Sequence, residues 1–93
     1  MNYNKDEVIG YGAGAKGQHL IHMLGLDKFI SYVVDDTSGF AGKFIPGTPI
    51  EIVNSDKFGE KDLKAVINLA PTHLEVIKKK VPIHLKFLDF INE

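Results

Sequence analysis

The chain has 93 residues, of which 44% are hydrophobic and 25% charged, with a formal net charge of −1 and no cysteine. That length supports one domain with its own core, since chains of this size bury roughly 60–65% of the surface they expose when unfolded. The composition excludes a disulfide framework and a cysteine-ligated zinc site, and the near-neutral charge argues against a nucleic-acid binder, which carries a basic excess or stripe.

Residues 1–7 are polar and lack the apolar run of a signal peptide. No stretch approaches the roughly 20 apolar residues of a membrane span. The expectation is a soluble, cytoplasmic protein with neither a nucleic-acid nor a membrane partner. All eleven basic residues are lysines. Without a guanidinium fork, any bound anion must be held by backbone N–H groups, hydroxyls and lysine.

Strand and helix patterns alternate along the chain, which predicts a parallel sheet with crossover helices. Residues 7–11 read as a first buried strand and residues 12–17 as a tight turn. Residues 15–24 read as a helix whose face of Gly17, Leu20, Ile21 and Leu24 should pack on the sheet. Gln18, His19 and His22 lie on its opposite face, and Gly25 is placed to end it in a left-handed conformation. Residues 29–34 read as the second strand, closed by Asp35-Asp36. A loop over 37–48 carries Gly39, Gly42, Pro46 and Gly47, residues 49–53 form a short extended piece, and Asn54 or Ser55 caps a short helix to about Phe58.

Residues 64–70 are apolar almost throughout, as a strand covered on both faces should be. A helix follows to about Lys80, with Thr72 and Glu75 forming a capping box. The lysines at 78–80 complement the negative end of that helix. Pro82 stops it, and a last strand lies within 83–90. Right-handed crossovers then predict a three-layer, Rossmann-like α/β domain with strand order 2-1-3-4. Ligands of such sheets bind at the carboxyl ends of the strands where the order reverses, here between strands 1 and 3.

Gly12-Ala13-Gly14-Ala15-Lys16-Gly17 fits G-x-G-x-x-G, a weak pattern alone among nine glycines. Here it follows a predicted strand, opens a predicted helix and precedes an acidic strand end by about 20 residues. Gly12 permits the turn, Gly14 admits a phosphate close to the backbone, and Gly17 lets the helix approach the strand. The first N–H groups of the helix lack internal partners and suit an anion. Lys16, in the first helical turn, is easier to explain with an anion nearby. Asp35 could accept ribose hydroxyls, Tyr11 could pack on a base or sugar, and Thr48 and His73 are further ligand candidates. The loop of Pro46-Gly47-Thr48-Pro49 should share the rim of the glycine turn. Each residue also has a structural reading: a turn needing small residues, a solvated lysine, a loop aspartate, a packed tyrosine, a helix-start histidine. His19 and His22 have no third partner, so no metal is expected. No catalytic residue is assigned.

The set Tyr11-Gly12-Ala13-Gly14-Ala15-Lys16-Gly17, Val33-Val34-Asp35, Gly42-Lys43 and Pro46-Gly47-Thr48 resembles the C-terminal domain of sugar C-methyltransferases, over roughly residues 8–53. Those enzymes use S-adenosylmethionine on nucleotide-linked deoxysugars. The resemblance implies a Rossmann-like domain that helps hold the nucleotide-sugar, with the catalytic, S-adenosylmethionine and zinc sites in other domains. It further implies an accessory domain beside a separate methyltransferase chain, a fragment, or a repurposed binding fold. Pro71-Thr72-His73 stands where that family often has a tryptophan-asparagine pair, and residues 66–73 look more like the corresponding turn of sugar dehydrogenases that bind a nicotinamide dinucleotide. A weaker likeness is to the small N-terminal domain of sugar O-acyltransferases. Three functions follow. The leading one is a nucleotide-sugar binding module, non-catalytic alone, with no tightly bound cofactor. The second is a minimal NAD-type domain, and the third an interaction domain with a vestigial cleft that self-associates.

Overall fold

The computed structural model describes residues 4–59, 63–70, 79, 81 and 85–89. Its strands are β1 (Val8–Tyr11), β2 (Tyr32–Val34), β3 (Glu51–Val53), β4 (Ala65–Asn68) and β5 (Lys86–Asp89), and its helix α1 spans Ala15–Leu24. All strand pairs are parallel, in the order β3-β2-β1-β4-β5. The four strands expected from the sequence keep their relative order, as β2-β1-β4-β5, and the expected four-stranded order is corrected by a fifth strand, β3, outside β2. The extended piece at 51–53 is a full member of the sheet, pairing Tyr32 with Glu51, Val33 with Ile52 and Val34 with Val53. From β1 the chain steps outward to β2 and β3, then returns to place β4 on the other side of β1. That reversal puts the carboxyl ends of β1 and β4 side by side, with Tyr11 opposite Asn68.

The free edge of β3 is covered by its own approach segment. Gly42 N–H donates to Ile52 O at 2.9 Å, Ile52 N–H to Lys43 O at 2.7 Å, and Ile45 N–H to Ile50 O at 2.9 Å. Phe44 and Glu51 form an antiparallel bridge. Residues 42–45 thus run antiparallel to 50–52, which closes an edge that would otherwise invite pairing with another chain.

Helix α1 has the predicted bounds, and Gly25 ends it at φ 63° and ψ 33°. Its Gly17 and Ile21 are buried and Leu20 packs against the core, but Leu24 is 45% exposed. The expected inward place for Leu24 is corrected: the chain turns tightly over Leu26–Lys28, and Leu26 enters the core instead. That turn also shortens the second strand from the expected 29–34, because the N–H groups of Phe29 and Ile30 both donate to Leu26 O. The expected short helix is a 3-10 turn, Ser55–Gly59.

Both faces of the sheet are apolar. On one, Val8, Val33, Ala65 and Ile67 pack with Ile21 of α1 and with Ile30, Ile45 and Ile50. On the other, Ile9, Tyr11, Val34, Val53 and Val66 pack with Phe58, Leu63 and Leu85. Each fully buried aliphatic side chain contributes about 1.5–3 kcal/mol. The helix predicted to follow β4, and with it the third layer, lies outside the described residues. Among the described residues no helix is long and apolar enough to cross a membrane.

Candidate functional site

The carboxyl edge of the sheet is organised around the turn that joins β1 to α1. Gly12 has φ +113°, and a side chain there would also collide with Ala70, whose Cβ lies 2.8 Å from where the new carbon would stand. Gly12 N–H donates to Val34 O at 2.9 Å. Ala13 is buried, and its N–H donates to Asp35 Oδ2 at 2.8 Å. Gly14 is the N-cap of α1, extended at φ −73° and ψ −177°, and among the described residues no side chain caps the helix. Gln18 reaches back to Ala13, its Nε2 donating to the carbonyl oxygen at 2.9 Å.

The three glycines separate by role. A methyl group at Gly17 would strike the Gly12 carbonyl oxygen, so this glycine sets how closely α1 approaches the turn. At Gly14 an added carbon would meet nothing within 4 Å among the described residues. Its backbone conformation suits any residue, so folding alone does not require glycine there. Gly14 is followed by the first backbone N–H groups of α1, which have no partners within the helix. Lys16 is exposed in that first turn.

The other predicted ligand residues divide by position. Asp35 belongs to the turn: besides Ala13, its Oδ1 accepts the Thr37 N–H at 2.9 Å and the Thr37 hydroxyl. Burial works to raise the Asp35 pKa, but the hydrogen bonds from the Thr37 hydroxyl and from the Ala13 and Thr37 N–H groups outweigh it and hold the carboxyl below its usual range. Tyr11 is buried on the face opposite α1, where its ring stacks on Phe58 with centroids 6.1 Å apart. His73 lies outside the described residues.

Thr48 is not brought to the glycine turn. Residues 46–49 connect the arms 42–45 and 50–52, so they sit at the amino end of β3, the edge of the sheet remote from Gly12. The Thr48 hydroxyl donates to Ile45 O at 2.9 Å and accepts the Ile50 N–H at 3.1 Å. His22 Nε2, late in α1, lies 2.9 Å from Pro46 O. The expected shared rim is corrected accordingly, because antiparallel pairing carries the proline-glycine loop away from it. Among the described residues no group of histidine and carboxylate side chains could hold a metal ion.

Asn68 is absent from the sequence-derived set, although a lone polar residue in the apolar run 65–70 is itself a signal. It is completely buried at the end of β4 beside Tyr11. Its Oδ1 accepts the Ala70 N–H at 2.9 Å, and its Nδ2 has no acceptor among the described residues.

The fold and this edge define a small parallel α/β domain with a glycine turn, and an uncapped helix start, at the point where the strand order reverses. A family model described as the C-methyltransferase C-terminal domain matches residues 1–87, and the chain belongs to that family. No curated protein matches it.

Proposed function

We propose that this domain binds a nucleotide-sugar, holding the diphosphate at the start of α1, and that it presents the ligand for methyl transfer by catalytic groups outside the domain. The observation that carries this reading is the open space at Gly14: among the described residues no side chain caps the helix, and an added carbon there meets nothing within 4 Å. Membership of the C-methyltransferase C-terminal family supports the choice of ligand. A helix N-terminus with free N–H groups favours negatively charged oxygen, and Lys16 adds a cation beside it. The NAD reading is the weaker one, because the carboxylate suited to ribose, Asp35, already accepts three hydrogen bonds from Ala13 and Thr37.

The test is a titration of the 15N-labelled chain with thymidine diphosphate glucose and guanosine diphosphate mannose, with NAD as comparison. One nucleotide-sugar should shift the amide signals of residues 14–17, and Gly14→Val should abolish binding in a folded protein. Stronger shifts with NAD would favour a dinucleotide domain. No shift with any nucleotide, together with a defined oligomer, would favour an interaction domain.

A further inference from the structure

Asn68 interrupts an apolar strand at the place where the sheet reverses, and only half of its side chain is accounted for. The Oδ1 atom accepts the Ala70 N–H and turns the chain out of the sheet. An aspartate would make the same turn. What asparagine adds is a neutral pair of N–H donors, and these have no acceptor among the described residues although the residue has no exposed surface. Folded proteins seldom keep such a donor unmatched, because leaving it so costs about 1–3 kcal/mol.

Its position gives the donor a use. Asn68 pairs with Tyr11, and Leu69 N–H donates to Tyr11 O at 2.8 Å, so the end of β4 is joined to the residue before Gly12. Ala70, which Asn68 holds in place, is the residue that a side chain at Gly12 would strike. By strand alternation Asn68 faces the same side as Tyr11 and Val66, away from α1. A ligand whose phosphates lie at α1 can reach that side only by crossing the edge with another part of the molecule.

We infer that the side-chain amide of Asn68 is a specificity contact, donating to a carbonyl or hydroxyl oxygen on the nucleoside or sugar part of the ligand rather than to phosphate. This rests on the proposed nucleotide-sugar site and adds a second anchor to it. In the free domain the amide is enclosed, so the contact forms as the Asn68–Ala70 turn opens.

The experiment follows the side-chain NH2 signals of Asn68, assigned by their disappearance in Asn68→Asp, while the wild-type chain is titrated with thymidine diphosphate glucose and separately with inorganic pyrophosphate. The expected result is that pyrophosphate shifts only the amides of residues 14–17, whereas the nucleotide-sugar shifts these and the Asn68 NH2 pair. Asn68→Asp keeps the acceptor for Ala70 and should weaken the nucleotide-sugar about tenfold, the scale of one buried hydrogen bond, without changing pyrophosphate binding. Glycine-turn shifts with an unmoved Asn68 pair would overturn this inference and leave the proposed function standing. An equal loss for both ligands in the variant would also overturn it, since that reports charge repulsion. Silence at residues 14–17 with every ligand would remove both readings. Should the variant fail to fold, the wild-type NH2 signals, assigned instead by through-bond correlation to the Asn68 side-chain carbons, decide alone.

Discussion

The carboxylate of Asp35 accepts the backbone N–H of Ala13 at 2.8 Å, which ties the end of β2 to the glycine turn at the end of β1. Its other oxygen is held by Thr37. One side chain therefore fixes the shape of the turn from the neighbouring strand, with both its oxygens engaged by Ala13 and Thr37.

This arrangement makes the turn sensitive to acid. Asp35 has a folded pKa below its ordinary value of 3.8. A depressed carboxyl contributes stability that is complete above the unfolded value and is lost as pH falls through the folded one. Thr37→Val removes the hydroxyl donor and should raise the Asp35 pKa toward 3.8, as read by carboxyl NMR titration. Asp35→Asn leaves one donor of the turn facing an NH2 group and should cost roughly 1 kcal/mol by urea unfolding at neutral pH, near the low end for a partly exposed site. That difference between wild type and variant should shrink as pH falls below 3.8 toward the depressed folded pKa, where the native carboxylate protonates. A variant as stable as wild type at neutral pH would show that the Ala13 contact does not shape the turn.

Two glycines of the same motif should respond to an added methyl group to very different extents. Gly17→Ala places a carbon against the Gly12 carbonyl oxygen and pushes α1 off the sheet. Overpacking of this kind costs about 1–3 kcal/mol or more, so the melting temperature should fall sharply. Gly14→Ala meets open space among the described residues and should cost only the N-cap preference for glycine over alanine, about 0.5–1 kcal/mol. A large loss from Gly14→Ala in the absence of ligand would show that this glycine serves folding rather than binding.

How much of this could be read from sequence depended on how local each determinant was. The bounds of α1 and the left-handed Gly25 were legible, because both follow from side-chain spacing and the conformational freedom of one residue. The three glycine positions were legible as a motif, but the spacing alone does not tell that a carbon is forbidden at Gly17 and free at Gly14. Asp35 was placed at the right strand end, yet the same position serves a ribose or a backbone N–H, and only the Ala13 contact distinguishes them. The role of β3 was least visible. Three residues carry little strand signal, and the pairing of Gly42, Lys43 and Ile45 with Ile50 and Ile52 depends on an edge that exists only after the sheet assembles.

That pairing sends Thr48 to the edge remote from the glycine turn, where its hydroxyl bridges Ile45 and Ile50. Thr48→Val removes both hydrogen bonds and should destabilise the fold by about 1 kcal/mol. It should leave the affinity for thymidine diphosphate glucose unchanged within error. A specific loss of affinity at unchanged stability would place this loop in the ligand site after all.

Lys16 offers the sharpest separation of binding from folding. It stands in the first turn of α1, which itself carries no acidic residue, and among the described residues no side chain caps the helix. A cation at that position is unfavourable by about 0.3–1 kcal/mol, and an anion is favourable by a similar amount. Lys16→Glu should therefore raise the stability of the free domain by about 0.5–1 kcal/mol, a few degrees in Tm. The same change puts a carboxylate in front of the N–H groups proposed to hold phosphate, so binding of both pyrophosphate and thymidine diphosphate glucose should fall. The stabilising effect should fade at high salt, because exposed charges more than about 10 Å apart are largely screened at 0.1 M ionic strength and the distance shortens further as salt rises. Calorimetric unfolding and a nucleotide titration on the same preparation decide the matter. A variant that is more stable yet binds both ligands as wild type does would mean that the anion lies elsewhere on the sheet edge.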